Sequence, residues 1–172
     1  MSPIEHLIES GLSLLLRFDE PALFLLFVLK GAIIGKALPT SLFLPGYLLV
    51  VDASTNRTVV AVVVASLGYV AGQLFIYRLS SAYGIDAVNS LPAVSVTDEG
   101  VTRAEQVFRR YSGAGIFITN LVPFVGTFIM IPAGMASYPI ARTVLYALSS
   151  TLLNYALIVS IALGLFGFLG LS

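Results

Sequence analysis

Lys30 and Lys36 are the only lysines in the chain, and both fall in Pro21 to Val51, an apolar segment broken by glycine and proline. An ionisable side chain at mid-membrane costs about 2.5–3.5 kcal/mol on insertion scales, so a functional role is the default reading for each. Lys36 follows Gly35 and precedes Pro39, where its ammonium can hold a lipid phosphate as a compact point charge. Lys30 sits nearer the start of its helix. For both, the alternative is a stem lying in lipid with the charge reaching the head-group layer. Gln73, Asn120 and Asn154 are uncharged polar residues within apolar stretches. Amides in that setting either contact a substrate or tie one helix to another. His6 is the sole histidine and there is no cysteine, so a zinc site, a thiolate nucleophile and a disulfide framework have nothing to be made from. With no nucleophile elbow, P-loop or candidate acid–base pair, neither an enzyme nor a cofactor is expected.

These residues need an apolar frame to position them. Of the 172 residues 58% are hydrophobic and 10% charged, and mean hydropathy is +0.97. Soluble domains carry about 25% charged residues, so lipid must solvate much of this exterior. Zero formal net charge argues against nucleic acid as a partner. The expected class is an all-α, multi-pass integral membrane protein of the cell membrane, forming one membrane domain.

Ser2-Pro3-Ile4-Glu5 reads as a helix start, followed to Phe18 by an interfacial amphipathic helix rather than a secretory signal. Asp19-Glu20-Pro21 opens the next helix. Its segment contains Pro39, Pro45 and Gly46, so a straight helix through it is not expected, and a re-entrant hairpin fits better. Thr58 to Tyr77 is free of charge, flanked by Arg57 and Arg78, and about 30 Å long as a helix, which matches the hydrocarbon core. Gly68 and Gly72 give it a face for close packing. A polar connection over 81–101 leads to an amphipathic helix from Thr102 to Tyr111. Ser112 to Ala141 is again broken, by Pro123, Gly126, Pro132 and Gly134 among others, and Thr143 to Phe168 forms a last membrane helix. Arg78, Arg109 and Arg110 suit a membrane face, and the arginines from Arg78 to Arg110 favour a cytoplasmic connection.

Amphipathic helix, broken hairpin and membrane helix thus occur twice, in repeat 1 (about 3–80) and repeat 2 (about 102–170). Paired broken segments in corresponding places point to inverted repeats with a site where they meet.

Phe43-Leu44-Pro45-Gly46 before Leu48-Leu49, Gly68 through Gly72-Gln73 to Tyr77 and Gly84, and Leu121-Val122-Pro123 with Thr127 and Ala133-Gly134 resemble, in that order, three motifs of the DedA family. This family is also called SNARE-associated Golgi or VTT-domain proteins. The likeness covers roughly residues 20 to 168. It implies a protein that moves phosphate-bearing lipids, polyprenyl phosphates or phospholipids, between leaflets. Gly35, Tyr47 and Gln73 stand where the family carries acidic residues, and Asn120 and Gly126 stand where it carries arginines. The resemblance therefore implies a divergent member that translocates without carboxylate-based proton coupling. Lys36, Gln73 and Asn120 are its expected head-group contacts; Pro39, Pro45, Gly46, Pro123, Gly126, Pro132 and Gly134 shape its hairpins. Its expected partners are anionic membrane lipids. The rival expectation is a non-transporting, membrane-organising or regulatory subunit on the same scaffold, a homodimer through Gly68 and Gly72 being one form of it.

Overall fold

A computed structural model describes residues 19–32, 40–91, 97–122 and 126–168, and among them every regular element is a helix. Residues 19–32 form α1. It is followed by α2 (Thr40–Val50), α3 (Thr55–Asn89), α4 (Asp98–Tyr111), α5 (Gly113–Leu121), α6 (Met130–Met135) and α7 (Ile140–Phe168). Two of the starts follow local chemistry. Ser54 Oγ accepts the Arg57 N–H at 3.4 Å ahead of α3, and Thr97 Oγ1 accepts the Gly100 N–H at 3.1 Å ahead of α4. Each cap satisfies a backbone donor that the first helical turn leaves over.

α3 and α7 are long and apolar enough to cross a membrane, over Thr55–Asn89 and Ile140–Gly164. Their outward faces are apolar too: Val59, Phe75, Leu145 and Ile161 are each at least half exposed. Contacts set the directions of the helices. Gly68 lies against the Phe24 carbonyl and Gly72 against the Val28 carbonyl, so α1 and α3 run parallel. Gly113 packs on the Tyr146 ring, while Asn120 reaches Ser150 and Asn154, so α5 and α7 also run parallel. Tyr77 meets Tyr138 and Tyr69 meets Tyr155, which makes α3 and α7 antiparallel.

Several elements differ from the sequence reading. Helix continues from α3 through 81–89, into the stretch read as a connection. Gly84 bends it at φ 74°, a conformation that glycine adopts without a Cβ penalty, and beyond the bend Val88 is fully buried with Ile85 packed nearby. Pro45 and Gly46 lie inside α2 rather than at a turn. Pro45 comes one turn into this short helix, so its missing N–H forfeits a single bond to the carbonyl one turn earlier. Pro132 is similarly placed near the start of α6. The Gly68/Gly72 face is filled by α1 of the same chain and is not open to a second copy. The amphipathic helix expected before Phe18, and the positions Lys36, Pro39 and Pro123, lie outside the described residues.

α4 is amphipathic. Ala104 and Phe108 are buried, while Glu99–Arg103 and Glu105–Arg109 form exposed pairs one turn apart.

The α1–α3 contact leaves no room for a side chain. A Cβ on Gly72 would stand 2.1 Å from the Val28 carbonyl oxygen and one on Gly68 2.4 Å from that of Phe24, both backbone atoms that can yield only if the helices part. Gly68→Ala and Gly72→Ala should each destabilise the protein by about 1–3 kcal/mol or more. Gly46 has nothing within 4 Å of its added Cβ, so Gly46→Ala should be neutral or stabilise by up to about 1 kcal/mol through helix propensity. Thermal unfolding of the three variants in a mild detergent checks both signs.

Candidate functional site: a buried polar layer

The apolar core is divided in two. One cluster gathers Val70, Ile76, Val88, Phe108, Ile116, Met130 and Ala147, and the other gathers Leu23, Phe27, Phe43, Leu48, Ala65, Tyr155 and Val159. Both long helices pass from one cluster to the other. On α3 Gln73, fully buried, lies one turn inside the first cluster, between Val70 and Ile76; on α7 Ser150, Thr151 and Asn154 lie at or near the crossing, the first two also buried. These positions fall near the middle of each helix.

The layer is a connected network. Gln73 Nε2 donates to Asn120 Oδ1 at 2.7 Å, linking α3 to α5. Asn120 Nδ2 donates to Ser150 Oγ at 3.2 Å, and Asn154 Nδ2 donates to the Asn120 carbonyl at 3.0 Å, linking α5 to α7. Gly126 closes over the amide, since a Cβ there would lie 2.0 Å from Asn120 Oδ1. The hydroxyls of Tyr69 and Thr127 stand 3.4 Å apart beside it. Two buried atoms, Gln73 Oε1 and Thr151 Oγ1, have no hydrogen-bond partner among the described residues. A buried polar atom left without a partner loses about 1–3 kcal/mol, so these two are places where a polar ligand has something to gain.

Lys30 supplies the charge. Its Nζ donates to Tyr155 Oη at 3.0 Å and lies 4.8 Å from the Tyr155 ring centre, 5.1 Å from that of Tyr69 and 5.2 Å from that of Phe27. Each ring presents a negative face, contributing about 0.5–2 kcal/mol to a desolvated cation. Together they offset much of the cost of desolvating the ammonium. Among the described residues no carboxylate pairs with the ammonium, whose hydrogen-bond partner is Tyr155. The cue was available in the sequence. Leu23, Phe27 and Lys30 recur at helical spacing, and Leu23 and Phe27 are fully buried, so Lys30 sits on the stripe of α1 that faces inward.

Gln73 and Asn120 are therefore brought together, in direct contact. Gly126 covers them, and Gly134 lies farther along α3, against the Tyr77 carbonyl and Ser80. A cavity of about 310 Å³ lies away from the layer, between α4 and the residues around Thr119 and Phe128, with Glu99 and Arg103 on its rim.

A second polar group closes one end of the molecule. The Asp19 carboxylate accepts from the Tyr47 hydroxyl and the Arg57 guanidinium, joining α1, α2 and α3. Tyr47 first, and Arg57 with it, hold the Asp19 carboxyl below the usual carboxylate range, against a partial desolvation that acts the other way.

No protein-family model matches the chain, and no curated protein or solved structure matches it either.

Two predictions follow from these networks. Asn120 anchors three neighbours and Gln73 one, so Asn120→Leu should lower unfolding stability by about 1–3 kcal/mol and Gln73→Leu by less. Denaturation of both variants by a graded anionic detergent tests the order. Because folding lowers the pKa of Asp19, its contribution is complete above the unfolded value near 4 and disappears as pH falls through the folded value. With its side chain 43% exposed, that contribution is at most about 1 kcal/mol. Melting temperatures between pH 6 and pH 3 should fall less steeply in Asp19→Asn than in the wild type.

Proposed function

We propose that this chain is a membrane-embedded translocator of phosphate-bearing lipids, built as two inverted repeats on the plan that its resemblance to DedA proteins implies. The observation that carries the reading is the polar layer: an ammonium, three amides and several hydroxyls at the middle of a helical body whose outward faces are apolar. Polar groups at that depth suit a head group in transit, while its acyl chains stay in lipid.

The helix directions support the repeat. In the first half α1 runs parallel to α3, and the end of α2 returns to the start of α1, where Asp19, Tyr47 and Arg57 meet. A chain that enters and comes back to the same end is what a re-entrant hairpin requires. In the second half α5 runs parallel to α7, and the chain through Thr127, Met130 and Gly134 comes back along α3 to the start of α7. The antiparallel course of α3 and α7 is the relation that inverted halves require.

One observation favours a second reading, a non-transporting scaffold. Gln73 and Asn120 satisfy one another at 2.7 Å, which is also how amides tie helices together in a membrane.

Leaflet exchange separates the two. In phosphatidylcholine vesicles carrying a trace of fluorescent phosphatidic acid, the wild type should accelerate exchange well above protein-free vesicles. Gln73→Leu with normal folding should slow it by about tenfold or more, the loss of one buried head-group contact. With no carboxylate in the layer among the described residues, the rate should vary little between about pH 5 and pH 7. Exchange no faster than in protein-free vesicles, for phosphatidic acid and other phosphate lipids alike, would leave the scaffold reading.

A further inference from the structure

We infer that Lys30 is the anion-binding residue of the polar layer, with the box formed by Phe27, Tyr69 and Tyr155 as its resting seat, and that the anion it receives is a phosphate. The lipid as its source rests on the translocator reading; the anion site does not.

The ammonium has three N–H donors, and one is spent on the Tyr155 hydroxyl. The three rings around it supply quadrupole attraction but no hydrogen-bond acceptor and no formal negative charge. Two donors and the whole charge are thus unanswered among the described residues. An incoming anion that coordinates the ammonium gains more there than rings can return, because a charge-assisted hydrogen bond in a desolvated site is among the stronger contacts available.

The surroundings suit an anion with several oxygens. Tyr69 bridges the box to the rest of the layer: its ring lies under Nζ and its hydroxyl is 3.4 Å from Thr127 Oγ1. Either hydroxyl can donate to a ligand oxygen. Gly31, next to Lys30, lies against the Tyr69 carbonyl and the Gln73 backbone nitrogen, which seats the ammonium's helix on the turn of α3 that runs from Tyr69 to Gln73. A tetrahedral oxyanion can meet a point charge from one oxygen and neutral groups from others, which a single-site halide cannot. Leu25 and Leu29 lie outward on the same helix, 61% and 57% exposed, and give an acyl chain an apolar flank.

The chain has only two lysines, so the ammonium can be watched directly. Protein labelled with 15N at lysine Nζ, in a neutral maltoside detergent, gives two side-chain signals, and Lys36→Arg assigns the remaining one to Lys30. Titration with dihexanoyl phosphatidic acid should move the Lys30 signal saturably, and dihexanoyl phosphatidylcholine, whose phosphate is already paired with choline, should move it much less. Inorganic phosphate moving it as readily as the lipid would support the anion site with free phosphate as its occupant and overturn the lipid source. Lys30→Met keeps a long apolar side chain and gains sulfur–aromatic contacts in the box, and should weaken phosphatidic acid binding by about tenfold or more. Lys30→Arg should retain most of the affinity. A Lys30 signal that no phosphate moves, or a folded Lys30→Met that binds like the wild type, overturns the inference. If Lys30→Met does not fold, the wild-type titration decides alone. Leaflet exchange by a protein whose Lys30 signal never moves sinks this inference only. A moving signal without leaflet exchange sinks the translocator reading and leaves the anion site standing.

Discussion

Polar side chains at the middle of an apolar helical body must find their partners inside it, because lipid offers none. In this chain that constraint falls on Gln73, Asn120, Ser150 and Asn154, and on the ammonium of Lys30. The network they form fixes how α5 sits between α3 and α7, and the aromatic box fixes where α1 ends relative to both. Two atoms of the layer, Gln73 Oε1 and Thr151 Oγ1, have no partner among the described residues.

Close backbone contact makes the arrangement possible. Gly31, Gly68 and Gly72 let α1 lie on α3 with carbonyl oxygens where side chains would otherwise stand. Such an approach brings Lys30 near the α3 turn of Gln73 and turns Leu25 and Leu29 outward. At one end the Asp19–Tyr47–Arg57 group gathers three helices, so α1 is held both at its beginning and along its length.

Much of this was legible in the sequence. Charge-free Thr58 to Tyr77 lies within α3, Thr143 to Phe168 within α7, and Thr102 to Tyr111 within α4, because length, charge and periodicity act locally. The meeting of Gln73 with Asn120 came from the family resemblance, not from any local pattern. What the sequence concealed depends on contacts between distant residues. Ser80 to Asn89 reads as polar, yet Val88 finds a buried place that keeps the helix going past Gly84. Pro45 reads as a break, yet so near the start of α2 it removes one hydrogen bond and no more. The spacing of Leu23, Phe27 and Lys30 puts Lys30 on one stripe of α1, but its enclosure by Tyr69 and Tyr155, 39 and 125 residues away, is a contact between distant residues.

The central claim is that the layer opens to polar ligands rather than remaining a sealed core. The chain has no cysteine, so Thr151→Cys and Ala133→Cys can each be introduced alone, the first in the layer and the second in an apolar cluster, with both parent residues almost fully buried. The measurement is the rate at which a membrane-impermeant thiol reagent modifies each variant in phosphatidylcholine vesicles. Modification at position 151 far faster than at 133, and slowed by phosphatidic acid, is the predicted result. Equal resistance at both positions until the protein is unfolded would contradict the account.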